Sequence, residues 1–142
     1  MKVVLDTNVI ISGLLWKRST KALFDLADHK KIKVCLTPKI ISEIIKVLNY
    51  PKIKKQLDSI GLTIGEIISY LFQVSKLYPD IDVNIDLPDK SDKVFLSASV
   101  ISGAGYLITG DRHLLALKRF QKIKILKPNE FLKELKNKFD KI

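Results

Sequence analysis

Short apolar runs alternate along the chain with longer segments whose apolar residues recur every three or four positions. The short runs predict buried β-strands over residues 2–5, 32–36, 106–109 and 122–126, with at most one further short strand at 81–83. The longer segments predict helices over 9–16, 20–29, 38–48, 53–60, 64–75, 91–102 and 111–117, and a last helix that begins at Pro128. Strands separated by helices favour a parallel sheet.

Local capping signals support several of these helices. Thr37 followed by Pro38 is a strong helix start, because threonine caps the first turn and proline fits inside it. The segment from Thr63 to Glu66 has the pattern of a capping box. The 38–48 helix is expected to bury the stripe Ile40, Ile41, Ile44, Ile45 and Leu48. The 64–75 helix is expected to carry Ile64, Ile67, Ile68, Leu71 and Ser75 on one face.

The element order β-α-β-α-(α-α)-β-α-β-α-β-α predicts an α/β fold with one mostly parallel sheet of four to five strands and helices on both faces. With 142 residues and no linker or repeat, we expect a single domain over 1–142. The helical pair within 53–78 is expected either to close over the core or to form a dimer contact.

Composition narrows the class of protein. The chain is 46% hydrophobic and 28% charged, which is typical of a globular protein. Cys35 is the one cysteine and lies in an apolar run, so we expect a buried thiol in a reducing compartment. An acid at position six argues against a signal peptide, and no apolar run approaches a membrane span. A cytoplasmic location is therefore expected.

The net charge of +10 favours a polyanionic partner. Basic residues are concentrated between 118 and 141. The chain has few arginines and no basic stripe interleaved with aromatic residues, so composition does not indicate a module that reads nucleic-acid sequence.

Four acids follow predicted strands or start predicted helices: Asp6, Glu43, Asp92 and Asp111. In an open α/β sheet these places share the edge where the strands end, so the four carboxylates are expected to meet there. Carboxylates repel one another, and a hard divalent cation such as Mg²⁺ or Mn²⁺ would relieve the repulsion.

Each acid alone also has an ordinary explanation. Asp6 and Asp111 could cap helices, and Glu43 could be a surface residue at the margin of its helix's apolar stripe. With Asp89 as the N-cap, Asp92 would interact favourably with the helix dipole. These roles do not explain why all four fall at one edge of a cationic protein.

Several segments resemble PIN-domain nucleases. They are residues 3–9, the stretch from Thr37-Pro38 to Glu43, and residues 89–96, 103–115 and 128–132. The resemblance implies a nuclease that depends on Mg²⁺ or Mn²⁺ and usually acts on RNA. Many such short proteins are VapC-like toxins of toxin–antitoxin pairs, which implies an antitoxin partner and a homodimer.

By position, the four acids take the family's acidic roles, and Asn8 and Thr109 match polar positions that support them. His113 departs from the pattern, because many relatives have a further acid there. We expect His113 and His29 to face solvent.

Our hypothesis is that Asp6 and Asp92 ligate the principal cation, that Asp111 completes or bridges the site, and that Glu43 binds a second cation or orients the attacking water. The alternative is a non-catalytic RNA-binding PIN module. A dinucleotide site at the glycines of 103–105 is excluded because they follow a helix and precede a strand.

Overall fold

The computed structural model describes residues 1–15, 18–87 and 90–140. Within them the strands are β1 Lys2–Leu5, β2 Lys33–Leu36, β3 Ser75–Leu77, β4 Tyr106–Ile108, β5 Arg119–Phe120 and β6 Ile123–Leu126. The helices are α1 Thr7–Leu14, α2 Arg18–Asp28, α3 Pro38–Leu48, α4 Pro51–Ile60, α5 Ile64–Val74, α6 Lys90–Ser102, α7 Arg112–Leu117 and α8 Pro128–Asp140.

The described strands form one six-stranded sheet in the order β3-β2-β1-β4-β6-β5. Every neighbouring pair is parallel except β5 with β6. The expected α/β class with a mostly parallel sheet is therefore confirmed. The sheet has six strands rather than four to five, because the prediction overlooked the two-residue strand β5.

The side on which successive strands join the sheet changes at β1. The chain adds β2 and β3 on one side of β1 and then places β4 on its other side. Leu5 lies opposite Ile108 in the register, and the Asp6 amide continues the ladder by donating to the Ile108 carbonyl at 3.1 Å. Such a switch point leaves a crevice outside the carboxyl ends of the strands, where α/β proteins bind ligands.

The core is continuous across the sheet. In each of β1, β2 and β4, three consecutive residues are buried. Because successive side chains of a strand point to opposite faces, both faces of these strands are covered. Helix α6 packs against all three strands. Leu57 of α4 and Leu71 of α5 belong to the same core, which confirms that this helical pair closes over it.

The local capping signals are confirmed. The Thr37 hydroxyl accepts a hydrogen bond from the Ile40 amide at 3.4 Å at the start of α3. The capping box between Thr63 and Glu66 forms in both directions at the start of α5. Helix α4 ends at Ile60 and is capped by Gly61, whose φ of 73° lies in the left-handed region that glycine tolerates best.

The third strand was misplaced in the prediction. Residues 81–83 are not a strand, and the strand is β3, which follows α5 without a loop. Ser75 pairs with Val34 and Leu77 with Leu36, so this segment uses the open edge of β2. Helix α5 therefore ends at Val74, and Ser75 does not continue its buried face. The helical period alone could not reveal this, because a strand is stabilised by its partner.

A second correction concerns α3. Ile45 was expected in its buried stripe, yet 39% of it is exposed. The expected helix end at Trp16 and the expected N-cap Asp89 lie outside the described residues. No helix in the described ranges has the length and apolar character to span a membrane. Cys35 is buried as a free thiol, as predicted.

Candidate functional site

The four predicted acids line one cavity. It has a volume of about 310 Å³. Its lining residues are Asp6, Thr7, Asn8, Glu43, Ser91, Asp92, Phe95, Gly110 and Asp111. The fold thus brings together side chains that follow β1 and β4 with side chains from α3 and α6. The expected proximity of the acids is confirmed, whereas their chemical role stays a prediction.

Asp6 is held rigidly at the end of β1. It is 7% exposed, and its Oδ1 accepts a hydrogen bond from the Val9 amide at 2.8 Å, which caps α1. Its Oδ2 accepts a hydrogen bond from the Thr109 hydroxyl. The ordinary capping role is therefore present, and it coexists with a position in the cavity wall.

Thr109 connects two of the acids. Its side chain is fully buried, and its hydroxyl oxygen also accepts a hydrogen bond from the Asp111 amide at 3.0 Å. One hydroxyl therefore orients the Asp6 carboxylate and the backbone that carries Asp111. This geometry agrees with the supporting position that the sequence suggested for Thr109.

Asp111 is the N-cap of α7. Its Oδ1 accepts hydrogen bonds from the amides of His113 at 2.7 Å and Leu114 at 3.3 Å. Because the cap uses this oxygen, the orientation of the carboxylate at the cavity is set by the helix start. His113 itself is exposed, as expected.

Asp92 and Glu43 complete the acidic wall from two helices. Asp92 is the third residue of α6 and is 5% exposed. Glu43 is partly buried on α3, between the fully buried Ile40 and Ile44. The marginal position predicted for Glu43 is therefore confirmed.

The surroundings of Asp6 disfavour the ionised form of its carboxyl group. Burial raises the pKa of Asp6, and the Asp111 carboxylate raises it further. Hydrogen bonds from Thr109 and from the Val9 amide act in the opposite direction and lower this pKa. An ionised Asp6 is thus costly in the protein alone, and a bound cation would remove that cost.

The lining offers oxygen donors that suit Mg²⁺ or Mn²⁺: four carboxylates, two hydroxyls and one amide carbonyl. The donor chemistry therefore fits a hard divalent cation. As the side chains stand, however, no three acidic, histidine or cysteine side chains in the described ranges are arranged to hold one ion.

Lysines lie beside this cavity rather than in it. No lysine or arginine from the described part of the chain lines the acidic cavity. Lys39, Lys90 and Lys93 line a neighbouring cavity of about 440 Å³, which involves the same two helices, α3 and α6. Lys93 forms an ion pair of 2.8 Å with Asp82 there.

Sequence reasoning missed part of the wall. Ser91, Phe95 and Gly110 were not singled out, and Thr7 was not predicted to line the site. Their proximity to the acids in sequence was the available signal, since Thr7 follows Asp6, Ser91 precedes Asp92 and Gly110 precedes Asp111.

Comparisons with known proteins identify one matching domain family and one similar protein sequence. A sequence model described as the PIN domain matches residues 2–113. The uncharacterized protein MJ1680 of Methanocaldococcus jannaschii is 32% identical over 145 residues, which cover 94% of this chain and 91% of that protein.

Among solved structures, the VapBC2 complex of Rickettsia felis, bound to a DNA fragment from its promoter, contains a similar chain. The TM-score is 0.56 at 14% identity, and the match covers 88% of this chain and 97% of that one. At this identity the likeness shows the fold alone.

Proposed function

The chain belongs to the PIN-domain family, and from that premise we propose that it is a nuclease that hydrolyses phosphodiester bonds of single-stranded RNA with Mg²⁺ or Mn²⁺. The observation that carries the proposal is the convergence of Asp6, Glu43, Asp92 and Asp111 on one cavity at the sheet's switch point. The net charge of +10 supports a polyanionic substrate.

Within the proposal, Asp6 and Asp92 would hold the principal cation, Asp111 would complete or bridge the site, and Glu43 would orient the attacking water or hold a second cation. A divalent cation supplies a more acidic water and a positive charge near the phosphate when it is bound. Thr109 keeps the Asp6 carboxylate and the Asp111 backbone in place through its two hydrogen bonds. Lys39, Lys90 and Lys93 would contact the RNA backbone from the neighbouring cavity, which they share with Asp80, Asp82 and Asp86.

In the proposed reaction water attacks the phosphorus, the bond between phosphorus and O3′ breaks, and O3′ leaves with a proton, so the products carry a 5′-phosphate and a 3′-hydroxyl. Products with a 2′,3′-cyclic phosphate would contradict the proposal, because they indicate attack by the ribose itself.

We further propose that the protein is the toxin of a toxin–antitoxin pair and acts as a homodimer. The fold shared with the VapBC2 complex supports an antitoxin partner. A groove of about 380 Å³ between α1, α2 and α5 has apolar walls that include Leu14, Phe24 and Ile67, with Lys21 and Asp25 among its charged residues. Three of the four charged residues that line the groove are acids, namely Asp25, Asp28 and Glu66, so the groove suits a peptide segment with apolar side chains and a basic group.

The decisive experiment is cleavage of a mixed set of labelled single-stranded RNAs with Mn²⁺, with Mg²⁺ and with EDTA. Wild type is compared with Asp6→Asn and with the control Asp58→Asn, which changes an exposed acid on α4. We expect cleavage by wild type and the control in the presence of metal, and none by Asp6→Asn. Equal cleavage by all three proteins would indicate a contaminant or another site.

The second candidate is a non-catalytic RNA-binding module. It is favoured by one observation, namely that the carboxylates of Asp6 and Asp111 cap helices α1 and α7, which gives both acids a structural role. RNA binding by wild type without cleavage under any metal condition, and with the same affinity in Asp6→Asn, would select this candidate.

A further inference from the structure

The lysines beside the acidic cavity share their own cavity with an equal number of aspartates. The two sets are Lys39, Lys90 and Lys93, and Asp80, Asp82 and Asp86. No other described residue that lines this cavity is charged, so the formal charges of its lining cancel. An RNA backbone gains little from lysines whose charge is already neutralised, because it then displaces no counterions from them.

Two of these aspartates lie on the helices where RNA would bind. Both carboxylate oxygens of Asp80 accept from the Lys39 amide, at 3.2 and 3.4 Å, in the first turn of α3. The amino end of a helix favours anions, phosphate included. Asp82 pairs with Lys93 of α6 at 2.8 Å, and the hydrogen bond from Lys93 lowers the pKa of Asp82. Capping does not require Asp80, since Thr37 already caps α3.

The segment that carries these two aspartates has few other attachments. Residues 79–84, here called the acidic segment, form neither helix nor strand. Their one backbone hydrogen bond with a described residue is accepted by the Val83 carbonyl from the Ile85 amide, at 3.0 Å. Tyr78 before the segment and Ile85 after it pack against the core, whereas Ile81 and Val83 are not among the described residues that do so. The segment is therefore anchored at its ends and held between them mainly by its carboxylates.

We propose that the acidic segment is a displaceable strap: its Asp80 and Asp82 carboxylates occupy the place of RNA phosphates on α3 and α6, and RNA that binds the site displaces them. The inference rests on the proposed function and assigns control of substrate access to this segment. Because the segment is tethered at both ends, its carboxylates remain at a high effective concentration, and RNA has to compete with them.

The contacts are weak enough for this competition. The Asp82 side chain is 88% exposed, and exposed ion pairs contribute little to stability. A single strand that brings several phosphates at once can therefore replace both carboxylates. The core contacts of Tyr78 and Ile85 need not break, because the strap can lift between them.

RNA affinity tests the competition directly. Asp80→Asn/Asp82→Asn removes both charges and nearly preserves the shape of the side chains. Binding of the labelled single-stranded RNAs is measured by fluorescence anisotropy in EDTA, where no hydrolysis is expected. The double variant should bind at least about 5-fold more tightly than its control, since two exposed charged contacts no longer compete.

The matched control is Asp58→Asn/Glu134→Gln. It removes the same number of negative charges, and one ion pair with Lys124, from residues that line neither cavity. A gain in affinity that came only from the higher net charge of the protein would appear in both double variants alike.

Proteolysis tests whether the strap leaves the surface. Saturating RNA should raise the rate at which proteinase K cuts wild type between residues 79 and 84, because a released segment fits a protease better than a held one. Asp80→Asn/Asp82→Asn should be cut there at the higher rate without RNA, and the control double variant should not. Mass spectrometry of the fragments identifies the bonds that are cut.

Three results would each overturn the inference. They are equal RNA affinity in the two double variants, unchanged or slower cutting of the acidic segment when wild type binds RNA, and no RNA binding by Asp80→Asn/Asp82→Asn. In the last case the unmasked lysines would not be an RNA contact. Metal-dependent cleavage by wild type would show that the nuclease proposal stands in all three cases. If wild type neither binds nor cleaves RNA, the inference and the nuclease proposal fall together.

Discussion

Replacement of Thr109 by valine tests how the site is held together. The Thr109 side chain is fully buried at the end of β4, and its hydroxyl donates to Asp6 and accepts from the Asp111 amide. Valine fills nearly the same volume but can neither donate nor accept a hydrogen bond through its side chain. The substitution therefore removes two hydrogen bonds and leaves the surrounding packing almost unchanged.

The expected loss of stability follows from the two groups that lose a hydrogen-bond partner, the Asp6 carboxylate and the Asp111 amide. A hydrogen bond to an ionised acceptor such as Asp6 contributes about 1.5–3 kcal/mol to stability. Loss of the bond to the Asp111 amide costs about 1 kcal/mol, the low end of the usual range, because that residue is partly exposed and water can replace the donor's partner. The free energy of unfolding should thus fall by about 2.5–4 kcal/mol.

Urea unfolding at neutral pH in EDTA measures this loss. Thr109→Ser is the matched control, since it keeps the hydroxyl, deletes one methyl group and should lose only about 1 kcal/mol. A Thr109→Val protein within about 0.5 kcal/mol of wild type would refute the reasoning, because changes that small are typical of sites without a specific interaction. A serine variant less stable than the valine variant would refute it as well.

Three further outcomes are expected. Gly13→Ala should destabilise the protein by about 1–3 kcal/mol in urea unfolding, because a Cβ would lie 2.5 Å from the Phe24 ring; unchanged stability would contradict this packing. The hydrogen bond from Lys124 lowers the pKa of Glu134 below its ordinary 4.5, so the pair stabilises the protein above that pH and loses its effect as pH falls through the lowered value. Glu134→Gln should therefore lower the thermal midpoint at pH 7 and converge with wild type in acid; a pH-independent difference would exclude the pair. Burial raises the pKa of the Cys35 thiol, so a thiol-reactive dye should label it only after unfolding, and fast labelling of the native protein would contradict its burial.

Local signals in the sequence were sufficient to predict a structural feature where the interacting groups are neighbours in the chain. The Thr37 cap and the capping box at Thr63 form as expected, and the helix predicted over 53–60 ends at Ile60. Each involves contacts within three or four residues, so tertiary structure has little opportunity to override them. The alternation of strands and helices likewise determined the α/β class, because neighbouring parallel strands must be joined by a crossover connection, which is usually a helix.

Contacts between distant segments were decided only by the tertiary structure. Whether Ser75–Leu77 is a strand depends on the open edge of β2, some forty residues earlier in the chain. The exposure of Ile45 depends on what covers its helix, which a periodic pattern does not specify.

The candidate site was likewise predicted from the sequence only in part. The sequence placed the four acids at one edge, because strand ends of a parallel sheet coincide there. Only the folded chain showed that one hydroxyl, that of Thr109, links Asp6 to the Asp111 backbone, and that Asp80 and Asp82 contact α3 and α6 beside the acids. A side chain's hydrogen-bond partners depend on distances between segments that are far apart in sequence, and those distances exist only in the fold.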